Sequence, residues 1–423
     1  VAAYRLLNSP AVGNEEILSA HRKATIQRAS GSRELLMLQD TTEVDYSGHD
    51  ALEGAGPLAE AERKGFFAHS RLLVAEEEGV IVGLEGSKIW ARSETGISKK
   101  HPAKMRPVEH KESNRWIQGY QRGCELLGEL PPGTRLTVVG DRESDIYEFF
   151  AAHAEQEGKA ADFLVRACQD RALMGGGKLF ETGRQARILG RYCFEVRAAE
   201  LIAKVKGNRR RVSRQARQAR MTVRSCRLTL RPPQRPAGQK LPPVEVGVIC
   251  ACEENPPNGQ APVEWILLTS WKLSSFKQAK QLLRIYSLRW LCEEFHYVLK
   301  SGCGVEDLAL RDGAAIKATL ALYMVIAWRI LYLRDFSRVR PTLSSKHFFD
   351  PVEWQVASVL LGTKRQNRGP PPLAKMIRMI ATLGGYLGRN GDGEPGVKTL
   401  WRGLTRLADA VLMWEDMQDA AGN

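Results

Sequence analysis

Hydrophobic positions change their period several times along the chain. Residues 14–29 recur at helical spacing, and the apolar run at 35–38 ends on Asp40-Thr41-Thr42, which predicts a strand with a polar tip. Runs at 71–76 and 80–84 flank Glu78-Gly79 and predict a hairpin. A charged helix over 111–130 is stopped by Pro131-Pro132-Gly133, and the strand predicted over 136–139 again has an acid at its end, Asp141. A helix over 145–156 and a strand at 163–165 continue the alternation, which predicts an α/β fold.

From about 170 to 262 that regularity breaks. Short β-like runs at 192–196, 221–230 and 244–250 are separated by Pro, Gly and Arg, which predicts a β-rich insertion. Between Leu201 and Val244 there is no Asp or Glu, whereas 13 Lys and Arg residues occur, Arg209-Arg210-Arg211 among them. A charge run can be a solvated face; one this long without an acid favours contact with phosphates. The α/β pattern resumes with a strand at 265–268, and a long helix is expected to start near Ser274. Beyond Ala314 the pattern is mostly helical, with a loop at 391–396.

The chain has 423 residues, 43% of them hydrophobic, enough for two or three folding units. Its formal net charge of +14 favours a polyanionic partner, either nucleic acid or an anionic membrane surface. The most apolar run, 318–333, is interrupted by Arg329 and is shorter than the roughly 20 residues of a membrane span, so a buried helix and no membrane partner are expected. The eight cysteines and eight histidines show no CxxC pair and no zinc-ligand spacing, and a reducing cytoplasmic setting is expected.

The segment from Tyr286 to Lys300 carries the most specific pattern. Read as one helix with Tyr286 at zero, Arg289, Glu293 and Lys300 fall at roughly −60°, −20° and −40° on the wheel. Leu288, Leu291, Cys292, Phe295, Val298 and Leu299 fall on the opposite face, ready to dock on a sheet. A carboxylate flanked by two cations and a phenol suits a divalent metal beside phosphate oxygens, although Arg289 and Glu293, four apart, also suit an ordinary surface ion pair. Metal-assisted phosphodiester chemistry needs carboxylates brought together from separate elements. Asp40 and Asp141, read as strand-end acids, supply two candidates and Glu293 the third. Isolated strand-end aspartates also serve as turn or cap residues.

The spacing Tyr286-x2-Arg289-x3-Glu293-x6-Lys300 resembles the Y-R-E-K signature of the bacterial cut-and-paste DDE transposases of the IS-four and Tn-five group. Trp290 and Glu294-Phe295-His296 around it are also similar, as are Gln39-Asp40-Thr41-Thr42 and Asp141-Arg142-Glu143-Ser144-Asp145 at the other two acids. Lys111-Glu112-Ser113 with Trp116, Val263 to Thr269, Gly391 to Gly396 and Trp401-Arg402-Gly403 extend the resemblance over nearly the whole chain.

The resemblance implies an α/β, ribonuclease-H-like mixed sheet flanked by helices, with the β-rich insertion and a mostly helical C-terminal domain. It implies a remnant of an N-terminal DNA-recognition domain over 1–30, a catalytic domain over 31–310 and a dimerisation domain over 311–423. Asp40, Asp141 and Glu293 would hold Mg²⁺, with Mn²⁺ as a substitute, and Tyr286, Arg289 and Lys300 would hold phosphates of the transposon end. Trp265 would stack on a base flipped from the duplex, a contact worth about 1–3 kcal/mol. A buried strand residue is the other reading of Trp265. Trp290, Arg166 and Tyr192 resemble further DNA contacts, and Arg209, Arg210 and Arg211 supply the basic run.

The implied partners are double-stranded DNA, as transposon ends and as target, and a second copy of the chain in a synaptic complex. The implied reaction is nicking, hairpin formation and opening, and strand transfer, with no covalent protein–DNA bond. An N-terminally truncated, catalytically idle inhibitor that binds DNA and dimerises is the alternative, followed by a non-transposing nuclease of the same fold.

Overall fold

The computed structural model describes residues 12–60, 62–93, 107–156, 158, 160–196, 198–205, 208–235, 240–362 and 369–421, with the backbone alone described over 199–205 and 208–214. The chain divides into two compact units. One comprises Val1–Leu35, Asp40–Ser98 and Trp290–Asn423; the other comprises Leu36–Gln39 and Lys99–Arg289.

The first unit opens with helix α1 (Asn14–Ala29), whose Glu16 carboxylate accepts the Gly13 N–H at 2.9 Å, with acids in its first turn and Arg28 in its last, as the helix dipole favours. Strands β1 (Glu34–Asp45), β2 (Gly56–Pro57), β3 (Lys64–Ala75) and β4 (Val80–Trp90) follow. In β1 the five residues after Glu34 are all buried, and β3 buries six in succession, the near-continuous burial of strands covered on both faces. β3 and β4 form the expected hairpin, turning at Gly79 with φ +66°. Helix α1 is fastened to β4 by Arg28 Nε donating to Val82 O at 2.7 Å and by the Leu84 N–H donating to His21 Nε2 at 3.2 Å.

The second unit continues with α2 (Asn114–Glu129), β5 (Arg135–Gly140), α3 (Tyr147–Ala154) and β6 (Asp162–Arg166), β5 and β6 lying parallel. A Cβ added to Gly119 would lie 1.9 Å from Gln39 Oε1, and one on Gly123 2.9 Å from Met37 Cε and 2.8 Å from Val138 Cγ2. Two glycines about one turn apart therefore let α2 settle directly on the buried half of β1. The expected β-rich insertion contains a short helix, α4 (Leu179–Gln185), then β7 (Ile188–Val196), β8 (Ala199–Val205), β9 (Asn208–Arg214), β10 (Arg217–Leu230) and β11 (Val244–Glu253). Its long strands extend the main sheet: β7, β10, β11 and β12 (Glu264–Thr269) pair antiparallel in that spatial order, β12 pairs with β6, and only β8 and β9 form a separate pair.

Helix α5 (Phe276–Ser287) ends this unit, and α6 (Trp290–Tyr297) re-enters the first. A π-helical turn at Val298–Gly302 leads to α7 (Gly313–Val339), α8 (Pro351–Leu360), α9 (Leu373–Leu383) and α10 (Val397–Ala421). The apolar run read at 318–333 is part of the 27-residue α7, which is long and apolar enough by composition to cross a membrane. Of its most apolar window 61% is buried inside the protein. Its Trp328 indole N–H donates to Ile81 O at 2.9 Å, tying the helix to β4.

Among the described residues, a mixed sheet of ten strands flanked by helices, with a helical C-terminal region, matches the ribonuclease-H-like class expected from the sequence. Two local expectations need correction. Asp40 does not end its strand: β1 runs on to Asp45, and at Asp40 only the burial changes, from buried to half-buried. The long helix expected from Ser274 is broken at Leu288 and Arg289, where the Leu288 N–H reaches both Arg284 O and Ile285 O and the Arg289 N–H bonds Tyr286 O, a tightened last turn that stops α5.

Candidate active site

The first unit carries Asp40, Glu293 and Lys300. Asp40 Oδ1 accepts the Thr41 N–H at 2.9 Å, and the Thr41 hydroxyl stands 2.9 Å from Nδ1 of His69 on β3. Farther along β1 the strand is tied to the chain that follows α6. Lys300 Nζ donates to Glu43 O at 2.9 Å and pairs with Glu306 at 3.1 Å; Glu306 accepts the Asp45 N–H at 2.9 Å; the Tyr46 hydroxyl donates to Val305 O at 2.8 Å. Lys300 is thus held against the polar half of β1. Glu293 is half-buried on α6 between buried Cys292 and Phe295, while its neighbour Glu294 pairs with Arg334 of α7 at 2.9 Å.

The second unit carries Asp141, Tyr286, Arg289, Arg166, Trp265 and Tyr192. Asp141 follows β5 as expected and caps a short 3-10 turn, its Oδ1 accepting the Glu143 N–H at 2.8 Å. The nearby Asp145 serves the scaffold instead. Its fully buried side chain accepts the N–H groups of Cys168 and Gln169 at 2.7 Å each and pairs with Arg171 at 2.5 Å. Tyr286 is buried, and burial pushes its phenol up, opposed by a hydrogen bond from Arg166 and by the charge of Arg289; Asp141 is close enough to push it further up. Arg166 feels burial first, then Tyr286, Arg142 and Arg289, and the two like charges disfavour its protonated form. Arg166 therefore feels two further guanidiniums, Arg142 and Arg289, and bonds the phenol, which also feels the charge of Asp141, one candidate metal-holding aspartate. Such a concentration of positive charge is balanced when a phosphate enters it.

Aromatic rings continue from that cluster. Tyr286 meets Trp265 edge to face at 5.4 Å, Trp265 meets Phe194 at 5.2 Å, and Phe194 meets Tyr192 at 6.4 Å. Small residues make room: Trp265 is paired in register with Ala251, and Phe194 with Ala219. Trp265 is half-buried, so neither a fully buried strand position nor a free platform describes it. Burial raises the Tyr192 phenol to about 12.

The single stripe expected from Tyr286 to Lys300 does not exist as one helix. Tyr286 lies on α5 and Arg289 in the break, whereas Glu293 lies on α6 and Lys300 in the π turn, whose wider spacing departs from the wheel. The expected apolar face is recovered in part: Cys292, Phe295, Val298 and Leu299 are buried, and Leu288 and Leu291 are half-buried. Trp290 is 53% exposed. The acid-free run also changes in three dimensions, because Arg217, Arg220, Arg227 and Arg235 pair with Glu253, Glu254, Glu245 and Glu148. Arg209, Arg210 and Arg211 lie on β9, and their side chains are outside the described residues.

Among the described residues, no group of three or more His, Cys, Asp and Glu side chains is gathered closely enough to hold a metal ion. The donor chemistry of Asp40, Asp141 and Glu293 nevertheless suits a hard divalent cation, since all are carboxylates at half-buried positions. Three residues with a place in this arrangement were not among the site residues read from the sequence. His69 gave a signal as a lone imidazole in an apolar strand, Phe194 as the same-face neighbour of Tyr192 two positions on, and Arg142 as the residue after Asp141.

Comparison with known families gives two matches that overlap over 325–329. Residues 117–329 match the family described as the transposase DDE domain, and residues 325–416 match that described as the transposase Tn5 dimerisation domain. Asp141 and Glu293 fall inside the first match; Asp40 precedes it.

Proposed function

The chain belongs to the transposase DDE family, and on that premise we propose that it cuts the ends of a mobile DNA element and joins them to target DNA through nicking, hairpin formation and opening, and strand transfer. Asp40, Asp141 and Glu293 would hold the divalent cation, Mg²⁺ or Mn²⁺, which when bound supplies activation of the attacking oxygen and neutralisation of charge at the phosphate. The protein's own part is positioning. Arg166 and Arg289, with the phenol of Tyr286, grip phosphate oxygens beside Asp141. Lys300 adds a cation beside β1, and Trp265 offers a ring to an unstacked base. Water and the freed 3′-hydroxyl are the nucleophiles, so no Ser or Tyr of the protein is consumed. The family's dimerisation domain at 325–416 supports a homodimer that holds two DNA ends.

The observation that carries this reading is the grouping of Arg166, Arg142 and Arg289 with the Tyr286 phenol, which also feels Asp141, inside a matched DDE domain. The test is cleavage of duplex DNA bearing the element's inverted ends with Mg²⁺ or Mn²⁺. Glu293→Gln and Asp141→Asn are expected to slow cutting by roughly 100-fold or more while DNA binding without metal is retained. Equal cutting rates would remove both residues from the metal site. Salt-sensitive binding with no cutting by the parent chain would favour the idle, dimerising inhibitor, and cuts without hairpins or joined strands a plain nuclease.

A further inference from the structure

His69 is fully buried in β3, where Phe66, Phe67, Ala68 and Leu72 occupy neighbouring buried positions. An imidazole in such a setting is costlier than an aliphatic side chain unless its nitrogens are partnered. Its Nδ1 stands 2.9 Å from the Thr41 hydroxyl, which can donate or accept according to the imidazole tautomer. The Thr41 N–H donates in turn to Asp40 Oδ1 at 2.9 Å. Consecutive side chains in a strand leave on opposite faces. Thr41 thus joins a buried anchor on one face of β1 to the carboxylate that leaves on the other, and the anchor fixes the peptide whose N–H sets the direction of Asp40.

We infer that His69 and Thr41 are positioning residues for the Asp40 carboxylate, setting its orientation toward a divalent cation. This rests on the reading of Asp40 as a metal-holding residue. Hydrogen-bonded partners behind a ligand set its orientation, and their loss typically weakens metal binding by about 10–100-fold.

The test titrates Mn²⁺ into the full chain and reads the unbound ion by electron paramagnetic resonance, with Asp40→Asn as reference. Thr41→Val and His69→Leu are expected to weaken Mn²⁺ binding at least about 10-fold, whereas Thr41→Ser and His69→Asn, which keep a polar partner, stay within about threefold of the parent. Thermal unfolding and DNA binding in EDTA separate orientation from folding, and Thr41→Val, nearly isosteric, keeps the test open if His69→Leu fails to fold. Mn²⁺ binding at parental strength in Thr41→Val, with Asp40→Asn weakened, overturns the inference alone. Parallel loss of the unfolding midpoint, DNA binding and Mn²⁺ binding in Thr41→Val assigns the pair a structural role and also overturns it. Parental Mn²⁺ binding by Asp40→Asn removes Asp40 from the metal site, and this inference with it.

Discussion

Replacing Arg166 by Met removes the guanidinium that feels both Arg142 and Arg289 and keeps an apolar stem in its half-buried place. Arg166 donates to Glu264 O at 3.1 Å and bonds the Tyr286 phenol, and Glu264, the carboxylate that feels its charge, is already gripped by Arg184 through two bonds of 2.8 and 2.7 Å. The positive charge is therefore available to a phosphate. A charge-assisted bond of this kind contributes about 1.5–3 kcal/mol, so DNA binding should weaken by roughly 10- to 100-fold. One phosphate contact fewer lowers the slope of log affinity against log salt by about 0.9. Across a fourfold rise in salt, from about 50 to 200 mM, the variant's deficit should shrink about 3.5-fold. Fluorescence anisotropy of an end-bearing duplex in EDTA over that salt range measures both effects. Arg227→Gln is the control, because Glu245 already offsets that charge. An unchanged slope in Arg166→Met, or an equal drop in Arg227→Gln, would refute the assignment of phosphate contact to this cluster.

Two further predictions concern the scaffold. Gly119→Ala places a methyl 1.9 Å from the Oε1 of fully buried Gln39, so it should cost about 1–3 kcal/mol of stability in denaturant unfolding; parental stability would show that Gln39 can move aside. His21 is held down to about 4 by burial, with the Arg28 charge adding, so the fold excludes its proton whereas the unfolded chain takes one up near 6.5. Its stabilisation is complete above that value and falls by roughly 3 kcal/mol as pH drops toward 4, which hydrogen exchange across Val80–Trp90 should show in the parent and not in His21→Gln.

Much of the scaffold was legible because burial and period speak locally. The sequence marks β1 by Leu35 to Leu38, β5 by its apolar run after Pro131-Pro132-Gly133, and α7 by its length of apolar residues. Charge was less legible, since it is settled by partners distant in sequence. The arginines from 217 to 235 look unopposed along the chain, yet antiparallel pairing of β10 with β11 brings Glu245, Glu253 and Glu254 to them. The extent of β1 was hidden for a related reason: its polar half and the Tyr46 that follows are tied by a bond from Lys300 and by bonds to Val305 and Glu306, which no window around residue 40 contains.

The break at Leu288 and Arg289 shows where the helical wheel misleads. The wheel assumed a constant advance per residue, and on that assumption four functional candidates shared one stripe. In the fold the same four divide, Tyr286 and Arg289 belonging with Asp141, and Glu293 and Lys300 belonging with Asp40. The two groups are also dressed differently: the first by guanidiniums and aromatic rings, the second by backbone carbonyls, a buried imidazole and an acidic partner for Lys300. A short, specific spacing can therefore place its residues in two different units, and the roles proposed for them differ accordingly, phosphate grip for Tyr286 and Arg289 and support of the Asp40 carboxylate on the other side of the break. The variants at Arg166 and Thr41 are expected to separate those roles, the first changing salt-dependent DNA binding without metal and the second changing Mn²⁺ binding without DNA.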